Sequence, residues 1–201
     1  MSNLNNSLLS AKFTSMAVGA VSVIFDYDGT IAHIPIDWKS VRQDCFNHLM
    51  SRFKDLPILA NQRVDEMEAL ALASYPNEAA YILSFRGSIE SEIDAEHKPI
   101  GAVIALLQAI YNNYDCYIVS NNLHSTIVSG LNALGVLHCF KGIYGVDTIG
   151  VPKPAIDSIN LLQKKYGLDT ATTIMLGDSP STDGKYCELL NMKFLNVNSF
   201  V

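Results

Sequence analysis

The chain has 201 residues, 49% of them apolar, enough to bury a sizeable core in one domain or in one domain with a modest insert. A formal net charge of -6 and no Lys/Arg cluster disfavour a surface that tracks a polyanion, so nucleic acid is not an expected partner. Cys45, Cys116, Cys139 and Cys187 lie far apart, form no C-x-x-C pair and sit among apolar neighbours, which sets the expectation of reduced, buried thiols in a cytoplasmic protein.

Residues 1–16 are rich in Ser and Asn and are expected to form a flexible tail, with Met16 an alternative start. The apolar run 17–25 is too short to span a bilayer and leads directly into Asp26 and Asp28. It is read as a buried strand over 21–25, and no membrane association is expected. Residues 36–97 carry helical periodicity without a convincing strand: Trp38, Val41, Cys45, Leu49 and Phe53 follow 3-4 spacing, as do Val64, Met67, Leu70 and Ala71. Pro57 and Pro76 divide this stretch into about three helices, because proline suits a helix boundary and not its interior.

From residue 98 the pattern alternates. Helix-period segments at 100–111, 125–134, 155–166 and 180–190 are interleaved with short apolar runs at 116–119, 142–144, 173–176 and 194–197. The fold class is therefore α/β: a doubly wound, mostly parallel, Rossmann-like core sheet built from 17–35 and 98–201, with a small helical insert, 36–97, after the first strand.

In open parallel sheets ligands bind beyond the C-terminal ends of the strands. Four groups of polar residues fall there: Asp26 and Asp28 after the first strand, Ser120 and Asn121 after 116–119, Asp178 after 173–176, and Lys153, between Pro152 and Pro154, just before a helix. Carboxylate oxygens suit Mg²⁺, a hard cation that prefers a few carboxylates, waters and substrate phosphate. Such a cation also offsets the repulsion between a carboxylate nucleophile and an anionic phosphate. Gly29 permits a tight turn whose amides, with that of Thr30, are expected to face an anion. Lys153 is placed to balance charge on a transferring phosphoryl group, and Ser120 and Asn121 to bind its oxygens. Ser179 reads as a helix N-cap with Pro180 as first helical residue, which puts Asp183 one turn in and able to reach back towards Asp178.

These four stretches, in this order, resemble the haloacid dehalogenase superfamily, phosphatase branch, of the phosphoglycolate phosphatase-like type. D-x-D-G-T is matched at Asp26, Asp28, Gly29 and Thr30, the strand ending in Ser at Ser120, the lone Lys at Lys153, and G-D-x-x-x-x-D at Gly177, Asp178 and Asp183. The resemblance implies Asp26 as nucleophile and Asp28 as the acid that protonates the leaving oxygen and then helps activate water. It implies Mg²⁺ on the Asp26 carboxylate, the Asp28 backbone carbonyl and Asp178, with Asp183 in support, and 36–97 as an α-helical cap. It further implies hydrolysis of a small phosphorylated metabolite, with a sugar-phosphate mutase or a receiver-like phospho-Asp module as alternatives. Members that cleave carbon–halogen bonds lack the second aspartate, so Asp28 favours phosphate chemistry. An Asp-Ser pair common near the hinge of this cap type is replaced here by His33, Ile34, Pro35, Ile36, Asp37 and Trp38. Oligomeric state is left open.

Overall fold

The computed structural model describes residues 2–92 and 97–200. Strand β1 (Ser22–Phe25) is buried throughout and pairs in parallel with β4 (Asp115–Val119) on one side and β6 (Thr173–Gly177) on the other. With β5 (Gly142–Tyr144) and β7 (Lys193–Asn196) at the edges, the five-stranded parallel sheet has the order β5-β4-β1-β6-β7. Such a sheet must be covered on both faces.

Alternation of side chains along each central strand builds the two layers. Val23 and Phe25, Cys116 and Ile118, and Ile174 and Leu176 point into one core with α5 (Gly101–Ile110) and α6 (His124–Ala133). Ile24, Tyr117, Val119 and Met175 point into the other, with Ile159 and Leu162 of α8 (Asp157–Tyr166) and Tyr186 and Cys187 of α9 (Lys185–Leu189). A short helix, α7 (Val146–Ile149), links β5 to α8. This is the expected doubly wound α/β core.

The first sixteen residues depart from the expected tail. Ser2–Met16 form helix α1, and Leu9 and Phe13, one turn apart, are buried in the first core; Phe13 meets Tyr114 edge-on with ring centroids 5.5 Å apart. Two apolar anchors on one helical face outweigh a polar composition.

A two-stranded antiparallel ribbon, β2 (Ala32–His33) on β3 (Lys98–Pro99), marks where the chain leaves and re-enters the core. Between them lie α2 (Arg42–Arg52), α3 (Val64–Ser74) and α4 (Ala79–Ser91), the three helices that Pro57 and Pro76 foretold. They gather around a separate cluster that includes Cys45, Leu49, Phe53, Val64, Met67, Ala71 and Ile82. Leu70, counted on this apolar face from its spacing, is instead 37% exposed, and Leu72 is buried in its place. All four cysteines are free and buried. No helix among the described residues is long and apolar enough to cross a membrane.

Candidate active site

The site forms at the C-terminal edge of the sheet. Asp26 prolongs β1 by one hydrogen bond, its amide donating to Leu176 carbonyl at 2.9 Å, so its side chain emerges at the centre of the edge. The chain then turns sharply: the Tyr27 carbonyl accepts from Ile31 N at 2.9 Å, and Gly29 N donates to the Ala32 carbonyl at 2.8 Å. Gly29 has φ +76°, and a Cβ there would stand 2.6 Å from Oδ2 of Asp178. The turn thus requires glycine twice over, for backbone angle and for the approach of Asp178.

Two sequence expectations are corrected at this turn. The amides of Gly29 and Thr30 are committed to Ala32 and Tyr27, and the Thr30 side chain is fully buried, so neither faces an anion. They shape the loop. Among the described residues the Thr30 hydroxyl oxygen has no hydrogen-bond partner.

Lys153 reaches the site fully buried, with Nζ 2.8 Å from Oδ1 of Asp26 and 2.6 Å from Oδ1 of Asp183. Its loop is held by Asn121, whose Oδ1 accepts from Lys153 N at 2.7 Å and whose Nδ2 donates to the Lys153 carbonyl at 3.3 Å. The side chain of Asn121 is therefore a strut for Lys153. Asp178 follows β6, and Asp183 lies in a five-residue π-turn, Pro180–Gly184. The Ser179 hydroxyl makes no capping bond there; Asp183 Oδ2 reaches back instead to accept from Ser179 N at 3.1 Å.

One oxygen each of Asp26, Asp178 and Asp183 lies within 4.8 Å of the others. Burial, then repulsion from Asp26, Asp183 and Asp28, pushes Asp178 up to about 7. Burial also raises Asp183, although its ion pair with Lys153 pulls the other way. Burial disfavours the charge on Lys153, but Asp183 and Asp26 more than offset it and hold the ammonium. Three converging hard-oxygen donors with an excess of negative charge fit a divalent cation, which would relieve the repulsion that adds to burial in these shifts.

Asp28 stands outside this cluster. Its Oδ1 accepts from Ile34 N and its Oδ2 from Trp38 Nε1, both at 3.1 Å. Burial nevertheless dominates and pushes it up to about 6, with the Asp26 charge adding to the effect. Ser120, at the end of β4, is 1% exposed; its hydroxyl donates to Asn122 Oδ1 at 3.0 Å.

These groups floor a cavity of about 220 Å³ roofed by the insert through Trp38, Arg42, Arg63, Val64, Asp65 and Arg86. Arg63 bridges the two, donating to Ser181 Oγ at 2.7 Å and Thr182 Oγ1 at 2.9 Å. Arg86 is buried against Glu68 at 2.7 Å and Glu90 at 3.6 Å, with its guanidinium 4.7 Å from the Trp38 ring centroid. Sequence reasoning put Trp38 in a hinge or in the insert's core and assigned Asn122, Arg63 and Glu90 nothing. Their contacts with Asp28, Thr182 and with one another span 10 to 119 positions, and the local signals were the nearness of Asn122 to Ser120, of Arg63 to Asp65 and of Arg86 to Glu90.

The doubly wound α/β core thus carries an aspartate cluster and a buried lysine at its carboxyl edge, where enzymes of this architecture place their active sites. Comparison with known families makes this specific. The haloacid dehalogenase-like hydrolase model matches residues 23–197, and the chain belongs to that family. Among solved structures it is similar to the HAD-hydrolase YfnB of Bacillus subtilis bound to magnesium, at 21% identity and TM-score 0.56 over 87% of this chain and 85% of that one. A predicted phosphoglycolate phosphatase of Haemophilus somnus gives 17% and 0.58 over 89% and 85%. The L-2-haloacid dehalogenase of Xanthobacter autotrophicus gives 15% and 0.57 over 88% and 77%. No curated protein matches the sequence significantly.

Proposed function

We propose that this hydrolase is a Mg²⁺-dependent phosphatase that cleaves a small phosphomonoester through an aspartyl-phosphate on Asp26. The observation that carries the reading is the division of labour between Asp26 and Asp28. Asp26 is paired with the Lys153 ammonium at 2.8 Å, while Asp28, two residues on, is held by Ile34 and Trp38 in a buried setting that raises it to about 6. Neighbouring carboxylates in such different environments suit nucleophile and acid/base roles at one pH.

The chemistry then balances residue by residue. An Asp26 carboxylate oxygen bonds to phosphorus as the ester P–O bond breaks, and the departing oxygen takes the proton of Asp28. Water next attacks the phosphorus of the aspartyl-phosphate, giving its proton back to Asp28; the P–O bond to Asp26 breaks and phosphate leaves. Lys153 offsets charge on the phosphoryl oxygens, and Ser120 is placed to donate to one of them. Asp26 and Asp178, with Asp183 behind them, would hold Mg²⁺, which supplies charge neutralisation to the phosphate. The helical insert would act as the cap that excludes water, with Arg63 fastening it to the core. A cavity of about 220 Å³ with Arg42 in its wall favours a short, polar phosphorylated metabolite over a nucleotide or lipid. Free buried cysteines fit a reduced, cytoplasmic setting.

Purified protein should release phosphate from a generic aryl phosphate with Mg²⁺, lose that activity in EDTA, and be inactive as Asp26→Asn. Turnover without metal, or an active Asp26→Asn protein, overturns the mechanism. Release of halide from a 2-haloacid would move the protein to the carbon–halogen branch.

A further inference from the structure

A buried chain of polar contacts runs from the interior of the helical insert to the proposed phosphate-binding loop. It starts at Glu68 on α3, which is fully buried and accepts from Arg86 Nε at 3.0 Å and Nη2 at 2.7 Å. Arg86 also neighbours Glu90 one turn along α4, Nη1 to Oε1 at 3.6 Å. Glu90 is only 4% exposed, and both its oxygens leave the insert: Oε1 accepts from Asn122 Nδ2 at 3.1 Å, and Oε2 from Leu123 N at 2.9 Å. Asn122 continues the chain, its Oδ1 accepting the Ser120 hydroxyl at 3.0 Å while its own amide donates to Ser120 Oγ at 3.3 Å.

We propose that Glu90 is a positioning residue for the reaction: anchored by Arg86, it fixes the Asn122 amide, which in turn fixes the Ser120 hydroxyl for phosphate. The inference rests on the phosphatase reading, within which Ser120 meets the substrate. The logic is one of donor and acceptor identity. A carboxylate can only accept, so Glu90 dictates that Asn122 turns its NH₂ towards the insert and its carbonyl oxygen towards Ser120. That carbonyl holds the hydroxyl hydrogen until a phosphate oxygen competes for it, and the Asn122 amide keeps Oγ from drifting. No other residue type at 90 fixes this orientation so fully. Glutamine offers a single acceptor oxygen for two donors, and its NH₂ would face Asn122 Nδ2 or Leu123 N donor to donor. Leaving either group unpaired in so buried a place costs the full desolvation penalty. Glu90 thus ties the insert to the core at Asn122 and Leu123, and the accuracy of the phosphate contact depends on a residue that never touches substrate.

The test is a double-mutant cycle on aryl phosphate hydrolysis with Mg²⁺, using Glu90→Gln, Ser120→Ala and both together. Ser120→Ala is expected to lower kcat/KM about a hundredfold, as loss of one anion-binding donor does. Glu90→Gln alone is expected to cost about tenfold, but less than about twofold when Ser120 is already alanine, because its effect is spent through that hydroxyl. Inhibition by inorganic phosphate should weaken in the Glu90→Gln protein and not in the double variant relative to Ser120→Ala. Costs that simply add, in a wild type that turns over, overturn the inference and leave the hydrolase reading intact. A wild type with no phosphatase activity overturns both. Should Glu90→Gln fail to fold, Asn122→Ala severs the same link from the core side, and its cycle with Ser120→Ala is read by the same criterion.

Discussion

Two buried cations in this molecule are each surrounded by carboxylates, and they do different work. In the core, Lys153 bridges Asp26 and Asp183, with Asp178 and Asp28 close by. In the insert, Arg86 bridges Glu68 and Glu90. Both centres carry more negative than positive charge and both border the same cavity, but in the first the carboxylates of Asp26, Asp178 and Asp183 line it, where a further cation and a substrate can enter, whereas in the second only Arg86 reaches it and Glu68 and Glu90 do not; the excess charge of the first is a binding capacity. The carboxylates of the second are withdrawn from the cavity, held by Arg86, which the Trp38 ring covers, and by the Asn122 and Leu123 donors, so their charges are structural. A carboxylate cluster becomes a site when its unspent oxygens face a space.

The widest separation of the two centres comes from deleting each cation. Lys153→Ala is expected to lower kcat/KM about a thousandfold, since it removes a preorganised charge from the phosphoryl position. It also leaves Asp26, Asp178 and Asp183 without a cation, so Mg²⁺ should raise the melting temperature of this variant more than that of the wild type. Arg86→Ala strips two buried glutamates of their partner and is expected to cost about 3–5 kcal/mol of stability by urea denaturation. No selective Mg²⁺ rescue is expected there, because Glu68 and Glu90 do not line the cavity. Equal rescue of both proteins by Mg²⁺ would abolish the distinction.

A smaller effect sharpens the account of the open centre. Gly29→Ala places a Cβ 2.6 Å from Asp178 Oδ2 at a backbone angle of φ +76°. The expected cost is about 1–3 kcal/mol in stability, with Mg²⁺ affinity falling alongside as Asp178 is displaced. Calorimetric titration with Mg²⁺ checks this. Unchanged affinity would mean that Asp178 takes no part in holding the cation.

Much of this was legible from residues alone, and the reasons are local. The alternation of short apolar runs with helix-period segments after residue 98 fixes a doubly wound sheet, because each period is set by backbone geometry. Pro57 and Pro76 mark helix breaks wherever they occur. Strand-end residues such as Asp26, Ser120 and Asp178 could be placed because parallel topology sends them all to one edge. Helix α1 escaped because its evidence is two side chains, Leu9 and Phe13, within a Ser- and Asn-rich stretch; their spacing of one turn was the available signal. The duties of Gly29 and Thr30 were misjudged because residue type does not reveal whether an amide is already spent on a neighbour. Trp38, Arg63 and Glu90 owe their contacts with Asp28, Thr182 and Asn122 to partners brought by the fold.

The finest distinction concerns Trp38, which touches both centres: its ring lies against Arg86 and its Nε1 donates to Asp28 Oδ2 at 3.1 Å. Trp38→Phe keeps a ring for the arginine and deletes only the donor, so stability should change by about 1 kcal/mol or less. The bond favours the charged form of Asp28, opposing the burial that raises it to about 6, so its removal raises that group further. In the proposed first step Asp28 must be protonated, and kcat/KM falls as pH climbs through its titration. The alkaline limb of kcat/KM should therefore move to higher pH in Trp38→Phe, by less than about one unit. A limb that stays in place, or moves down, would show that the indole serves the arginine centre alone and has no part in tuning the acid.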